Sequence, residues 1–311
     1  MVKPVNVRGI IPATVLPMTG DCKMDPASME SYYDWLIDQG VCAVAVNADT
    51  GEGPHLYPEE KRRVLEKVVE IVDSRVSVIA GLTAMFTEAA IEQAREAEAV
   101  GADGLLMFPI PAFRGKPQDK EQIYAYHAAI ADAVDLPMVL FQLQDALGGV
   151  EFEDETLLRL CEIDNVVAVK EASFDALKFV RTVAALDAAP RPPIILTGND
   201  NFICESFILG AKGALIGFGT VATALQVEAF HAAMENDFNT VKEIGRKIQP
   251  LVDATFGPPV RNYRARLKEV LAMQGVIERA TVRPPLMAVS DAEREAIRQA
   301  LETMELLPAR T

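Results

Sequence analysis

The chain has 311 residues, of which 50% are hydrophobic, with a formal net charge of −15 at pH 7. That is enough chain for a sizeable core, either one large α/β barrel or two ordinary domains. The acidic balance argues against nucleic-acid and anionic-membrane partners, which need basic patches, but leaves an anionic small substrate open. No apolar stretch approaches the roughly 20 residues of a membrane span, and the start Met1-Val2-Lys3-Pro4 carries no signal-peptide pattern. Cys22, Cys42, Cys161 and Cys204 lack paired spacing and read as reduced thiols of a cytoplasmic protein. His55, His127 and His231 stand apart, so a His-rich metal centre is not expected.

Along the chain, short apolar runs alternate with amphipathic segments. Gly9 to Ala13 reads as a first strand, Asp25-Pro26 caps and opens a helix, and Gly40 ends it. Ala43 to Asn47 is a second strand, and Pro58 opens a helix with Val64, Leu65, Val68, Val69 and Val72 on one face. The alternation continues with strands at Val76 to Ala80, Gly104 to Met107 and Pro137 to Phe141. Helices are expected at Thr87 to Val100, Asp119 to Ala133 and Asp154 to Cys161. A sixth strand ends at Lys170, and its helix spans about Ala176 to Ala185. Ile194 to Thr197 and Gly213 to Ile216 complete the strands, followed by helices at Asn201 to Leu209 and Ala222 to Asn236.

Eight strand–helix units in about 230 residues are the repeat count of a (β/α)8 TIM barrel. The competing doubly wound sheet usually carries a glycine-rich phosphate turn after its first strand, and none is present. The expected organisation is a catalytic barrel over residues 1–236 and a C-terminal helical region over 237–311. Helices in that region are expected near Thr240 to Ala254, Asn262 to Gln274 and Asp291 to Met304.

In such a barrel the chemistry sits in loops at the carboxyl ends of the strands. Val166-Val167-Ala168-Val169 reads as a fully buried strand, and Lys170 closes it. Apolar surroundings disfavour an ammonium, leaving some free amine at neutral pH, and a free amine attacks a ketone to form a Schiff base. The bland alternative is a strand-end lysine whose stem packs while its ammonium reaches water. The loop Asp49-Thr50-Gly51-Glu52-Gly53 can present backbone N–H groups to a carboxylate, or be a plain surface turn. Arg114 and Lys116 either pair with a distal anion or are solvated loop charges.

Several segments carry a resemblance in order and spacing: Thr50-Gly51-Glu52 with Leu56-Tyr57-Pro58-Glu59-Glu60, Ala80-Gly81, Val167-Ala168-Val169-Lys170-Glu171-Ala172-Ser173, Gly198-Asn199-Asp200 and Leu209-Gly210-Ala211-Lys212-Gly213-Ala214. From Arg8 to the C-terminal helices the chain resembles the dihydrodipicolinate synthase / N-acetylneuraminate lyase family of class I, Schiff-base aldolases, as a divergent member. The resemblance implies a TIM barrel, an imine between Lys170 and pyruvate or another 2-keto acid, and carboxylate binding by Thr50 through its backbone. It also implies a homo-oligomer, a tetramer or a dimer, and no cofactor beyond the covalent imine.

The departures are equally specific. The family's proton-shuttling tyrosine at the end of the fifth strand falls at Phe141, which has no hydroxyl. Its paired hydroxyls in the first loop become Asp49-Thr50. The synthase branch's tyrosines after the fourth strand fall at Ile110 and Pro111, and its substrate-anchoring arginine falls near Ala146. A true dihydrodipicolinate synthase is therefore not expected.

The expected activity is a Schiff-base lyase on a 2-keto acid, an aldolase or a dehydratase of a 2-keto-3-deoxy sugar acid. Lys170 and Asp49 are the expected catalytic residues, with Asp49 alternatively a turn-capping aspartate. Thr50, Gly51, Phe141, Gln142, Gln144, Arg114 and Leu215 are expected to bind substrate, and water held by Gln142 or Gln144, or Asp145, is a second proton route. A catalytically impaired keto-acid-binding barrel with a sensor or structural role is the alternative.

Overall fold

The computed structural model describes residues 4–307; Met1 to Lys3 of the start discussed above, and residues 308–311, lie outside it. Eight short strands form one parallel sheet: β1 (Ile10–Pro12), β2 (Ala43–Val46), β3 (Ser77–Leu82), β4 (Gly104–Met107), β5 (Met138–Leu143), β6 (Val166–Ala172), β7 (Ile194–Thr197) and β8 (Ala214–Ile216). Neighbours pair in sequence order from β2 to β8, and β8 pairs with β1. The seam between β1 and β2 is bridged at Ala13 and Ala45, with the Thr14 N–H donating to the Ala45 carbonyl at 3.0 Å. The result is a (β/α)8 barrel.

Helices follow each strand: α1 (Pro26–Asp38), α2 (Pro58–Val72), α3 (Thr87–Val100), α4 (Lys120–Ala131), α5 (Asp154–Leu160), α6 (Ala176–Asp187), α7 (Ile203–Ile208) and α8 (Thr223–Met234). Their starts follow local chemistry. The Asp25 side chain accepts from the Ser28 N–H at 3.2 Å with Pro26 in the first turn, and Asp119 does the same for Gln122 at 3.1 Å. Beyond the barrel come α9 (Phe238–Phe256), α10 (Tyr263–Met273) and α11 (Asp291–Thr303).

Strand parity divides the core in two. Ile11, Ala43, Ala45, Ile79, Leu106, Val139, Phe141, Ala168, Ala172, Leu196 and Leu215 fill the barrel interior. Their neighbours Ile10, Val44, Val46, Val78, Leu105, Met138, Leu140 and Val169 pack against the helices instead. Alternate residues of a strand point to opposite faces, so Lys170, between Val169 and Glu171, shares the inner face with Ala168 and Ala172. Three strands run past their expected ends, β3 to Leu82, β5 to Leu143 and β6 to Ala172. Lys170 thus lies two residues inside β6, paired with Phe141 on β5 and Leu196 on β7.

Candidate active site

A cleft opens at the carboxyl ends of the strands. Lys170 reaches into it from β6, Phe141 from β5, Asp49 and Thr50 from the turn after β2, Asp200 from the turn after β7, and Tyr263 from α10. Lys170 is 7% exposed and is the one amine among the described residues that line the cleft. Burial holds its pKa well below the ordinary lysine value, while the charges of Asp200 and Asp49 oppose that shift. Its Nζ lies 4.0 Å from the centre of the Phe141 ring, a cation–π contact when protonated, and Phe108 meets that ring edge-on at 5.1 Å. The stem of Lys170 needs room beside it. A Cβ on Gly198 would stand 2.7 Å from Lys170 Cε, so only glycine fits there.

The acidic neighbours differ. Asp200 is buried and accepts from the Phe218 N–H at 2.7 Å. Burial raises its pKa, against the lowering effect of backbone N–H donors and of Lys170. Asp49 faces the same cleft, as expected, but its carboxylate is not free. Oδ2 accepts from the Tyr263 hydroxyl at 2.7 Å and is ion-paired with Arg264, whose Nε also donates to the Asp49 carbonyl at 2.7 Å.

Thr50 lines the cleft, 3% exposed. Gly51 sits behind it, where an added Cβ would stand 2.7 Å from the Thr14 carbonyl oxygen, so its part is to let the turn close. Four expected substrate contacts fall elsewhere. Gln142 has the opposite parity to Phe141 and points out of the barrel, donating to Glu171 at 3.1 Å and to Thr182 of α6 at 3.3 Å. Gln144, half-buried, and the exposed Asp145 start the turn after β5 outside the cleft lining. The exposed Arg114 donates to the carbonyls of Gly148 and Gly149, binding one loop to another rather than awaiting an anion. Leu215 is fully buried in the barrel interior and belongs to its packing, not to the cleft wall.

The segment after Lys170 is a brace. Glu171 points outward, 0% exposed, and accepts from Asn199 at 2.7 Å, Gln142 at 3.1 Å and the Ser173 N–H at 3.3 Å. Asn199 in turn accepts from the Phe174 N–H at 2.7 Å. These bonds tie the ends of β5, β6 and β7 together and fix the strand that carries the amine. A roomier groove between α2 and α3 lies outside the barrel, and its lysine, Lys61, donates to Thr83 at 2.6 Å.

Sequence reasoning missed Tyr263 and Arg264. Both lie in α10, and no local pattern in Tyr263-Arg264-Ala265-Arg266 marks them as part of a site built mainly from strand ends.

Comparison with known proteins agrees with this fold. Residues 6–304 match the profile of the Dihydrodipicolinate synthetase family. The 4-hydroxy-tetrahydrodipicolinate synthase of Moorella thermoacetica is 33% identical over 298 residues, 96% of this chain and 98% of that one. The enzyme of the same name from Methanocaldococcus jannaschii is 31% identical, covering 96% of this chain and 99% of its own. Among solved structures, dihydrodipicolinate synthase from Acinetobacter baumannii, complexed with pyruvate, superposes with a TM-score of 0.86 at 30% identity. That match covers 97% of this chain and 100% of that one. A monomeric dihydrodipicolinate synthase variant superposes with a TM-score of 0.87 at 28% identity, covering 96% and 97%. Barrel, cleft and near full-length similarity lead to one assignment: this enzyme belongs to the dihydrodipicolinate synthetase family of aldolase-type lyases.

Proposed function

We propose that the protein is a Schiff-base lyase acting on pyruvate or another 2-keto acid, and that it is not a 4-hydroxy-tetrahydrodipicolinate synthase. The observation that carries this reading is Lys170, a buried amine held below its ordinary pKa, at the strand-end face of the barrel. Its lone pair adds to the C2 carbonyl, and loss of water leaves a protonated imine. That cation draws electrons from C2 and stabilises negative charge at C3. The same electron sink serves making or breaking a C–C bond at C3, or expelling a C3 hydroxyl from a 2-keto-3-deoxy sugar acid. No further cofactor enters this scheme. The turn carrying Thr50 and Gly51 is suited to hold the substrate carboxylate through backbone N–H groups.

The substrate distinction rests on Phe141 in the cleft wall and on three positions in the loops after β4 and β5. By the family resemblance Phe141 falls where a proton-shuttling tyrosine is expected, and it offers a ring and no hydroxyl. By the same resemblance, Ile110 and Pro111 fall where the synthase branch has tyrosines, and the exposed Ala146 falls near its anchoring arginine. Arg114 does not replace that arginine, because the Gly148 and Gly149 carbonyls occupy it. The free cysteines suit a reducing, cytoplasmic setting, and no described helix is long and apolar enough to cross a membrane. A homo-oligomer, tetramer or dimer, is the assembly proposed from the family resemblance.

The missing Phe141 hydroxyl also favours a second reading, a keto-acid-binding barrel with little turnover. The two separate in one assay panel. Pyruvate with a series of aldehydes, and 2-keto-3-deoxy sugar acids alone, should include a substrate turned over at ordinary enzymatic rates. Binding and imine trapping without turnover across the panel supports the sensor reading. Efficient condensation of pyruvate with aspartate semialdehyde contradicts the exclusion of the synthase.

A further inference from the structure

We propose that the Tyr263 hydroxyl, supplied by α10, is the proton-relay group of the cleft, acting with Asp49 and Thr50 where Phe141 has none to offer. The proposal rests on the Schiff-base reading and names a group that reading leaves unassigned.

Among the described tyrosines, Tyr263 is the one that lines the cleft. Tyr32 and Tyr33 are spent on the first barrel strand's exit, Tyr32 accepting from the Val15 N–H at 3.2 Å and Tyr33 bonding Thr14 at 2.8 Å. The ring of Tyr263 is 6% exposed and stacks on Phe256, with centroids 5.0 Å apart and planes 22° apart. Its hydroxyl donates to Asp49 Oδ2 at 2.7 Å, and the Thr50 side chain lies close beside it. Three elements converge to make this arrangement. A Cβ on Gly217 would stand 3.1 Å from Thr50 Oγ1, 3.1 Å from Phe256 Cζ and 3.4 Å from Tyr263 Cε2. Glycine at the end of β8 therefore lets the phenol and the threonine meet. Arg264, the next residue of α10, fixes Asp49 by pairing its guanidinium with the Asp49 carboxylate and donating to the Asp49 carbonyl.

A phenol in contact with a carboxylate and an alcohol is a proton conduit. In the pyruvate imine, the C3–H bond breaks and its electron pair forms the C2–C3 double bond. The C2–N π electrons settle on nitrogen, giving a neutral enamine. The departing proton passes to the Tyr263 oxygen as the phenol's own proton moves to Asp49 Oδ2. The Asp49 side chain is 28% exposed, so it exchanges that proton with water. Run backwards, the relay returns a solvent proton to C3, with nothing oxidised or reduced.

The test uses the full-length protein and pyruvate alone, with two readouts: borohydride capture at Lys170, and loss of the pyruvate methyl proton signal in D2O. The parent should show both. Tyr263→Phe keeps the stacked ring and removes the hydroxyl. It should retain capture while exchange slows about 100-fold or more, the usual size of a lost acid–base group. Phe141→Tyr added to Tyr263→Phe should recover at least about tenfold of that rate. Asp49→Asn serves if Tyr263→Phe fails to fold, and should likewise keep capture and slow exchange. Failure of the parent to be captured by any 2-keto acid overturns the Schiff-base reading itself. Capture without exchange in the parent overturns the relay alone. So does exchange in Tyr263→Phe or Asp49→Asn within about threefold of the parent, or joint loss of capture and exchange in a folded variant.

Discussion

Replacing Lys268 by Met removes half of a fully buried ion pair. Both Lys268 and Glu52 have side chains that are 0% exposed, and Lys268 Nζ donates to Glu52 Oε1 and, at 2.7 Å, to the Thr281 carbonyl. Glu52 Oε2 accepts from the Arg283 N–H at 2.8 Å. Methionine fills a similar volume but leaves a carboxylate inside the protein with one backbone donor. Breaking a buried pair in this way costs about 3–5 kcal/mol, and the full burial of both partners places the expectation in that range. With a urea slope of about 3 kcal/mol/M for a chain of this size, the midpoint should fall by about 1–1.7 M. Pairing Lys268→Met with Glu52→Gln removes the stranded charge while retaining an acceptor for Arg283, and should recover more than half of the loss. The pair also clamps α10 to the turn that carries Asp49 and Thr50, so the single variant should weaken keto-acid capture. A midpoint shift below about 0.3 M, or no recovery in the double variant, refutes the claim that this pair anchors α10.

Gly198→Ala places a Cβ 2.7 Å from both Lys170 Cε and Ala172 Cβ. It should destabilise by about 1–3 kcal/mol and lower keto-acid capture, measured by denaturation and adduct mass. His127 is 1% exposed and burial pulls its pKa down to about 4. The unfolded chain takes up that proton near pH 6.5 and the folded chain only near 4. Its contribution to stability is thus present above pH 6.5 and is lost as pH falls to about 4, by up to about 3 kcal/mol. His127→Phe should flatten that part of the stability–pH curve relative to the parent. The initial rate of imine formation should rise with pH and level off below the ordinary lysine pKa of 10.5, since burial depresses that of Lys170.

The barrel was legible because its strands are short buried runs and its helices begin with clear caps, as at Asp25-Pro26 and Asp119. Lys170 stood out for the same reason, as a cation adjoining Val166-Val167-Ala168-Val169. Gln142 shows what parity would have excluded. Once Phe141 faces inward, its neighbour on a strand faces out. Arg114 was not readable, because its partners are carbonyls of a loop some 34 residues away, and a carbonyl leaves no trace in side-chain chemistry. Tyr263 and Arg264 lie 214 and 215 residues from Asp49, and only the packing of α10 over the barrel mouth brings them together.

Reduction of the protein with borohydride in the presence of pyruvate, followed by peptide mapping, tests the central claim most directly. The account predicts a single reduced pyruvate adduct on the peptide containing Lys170, abolished in Lys170→Ala. An adduct on another lysine, or none with any 2-keto acid, contradicts it.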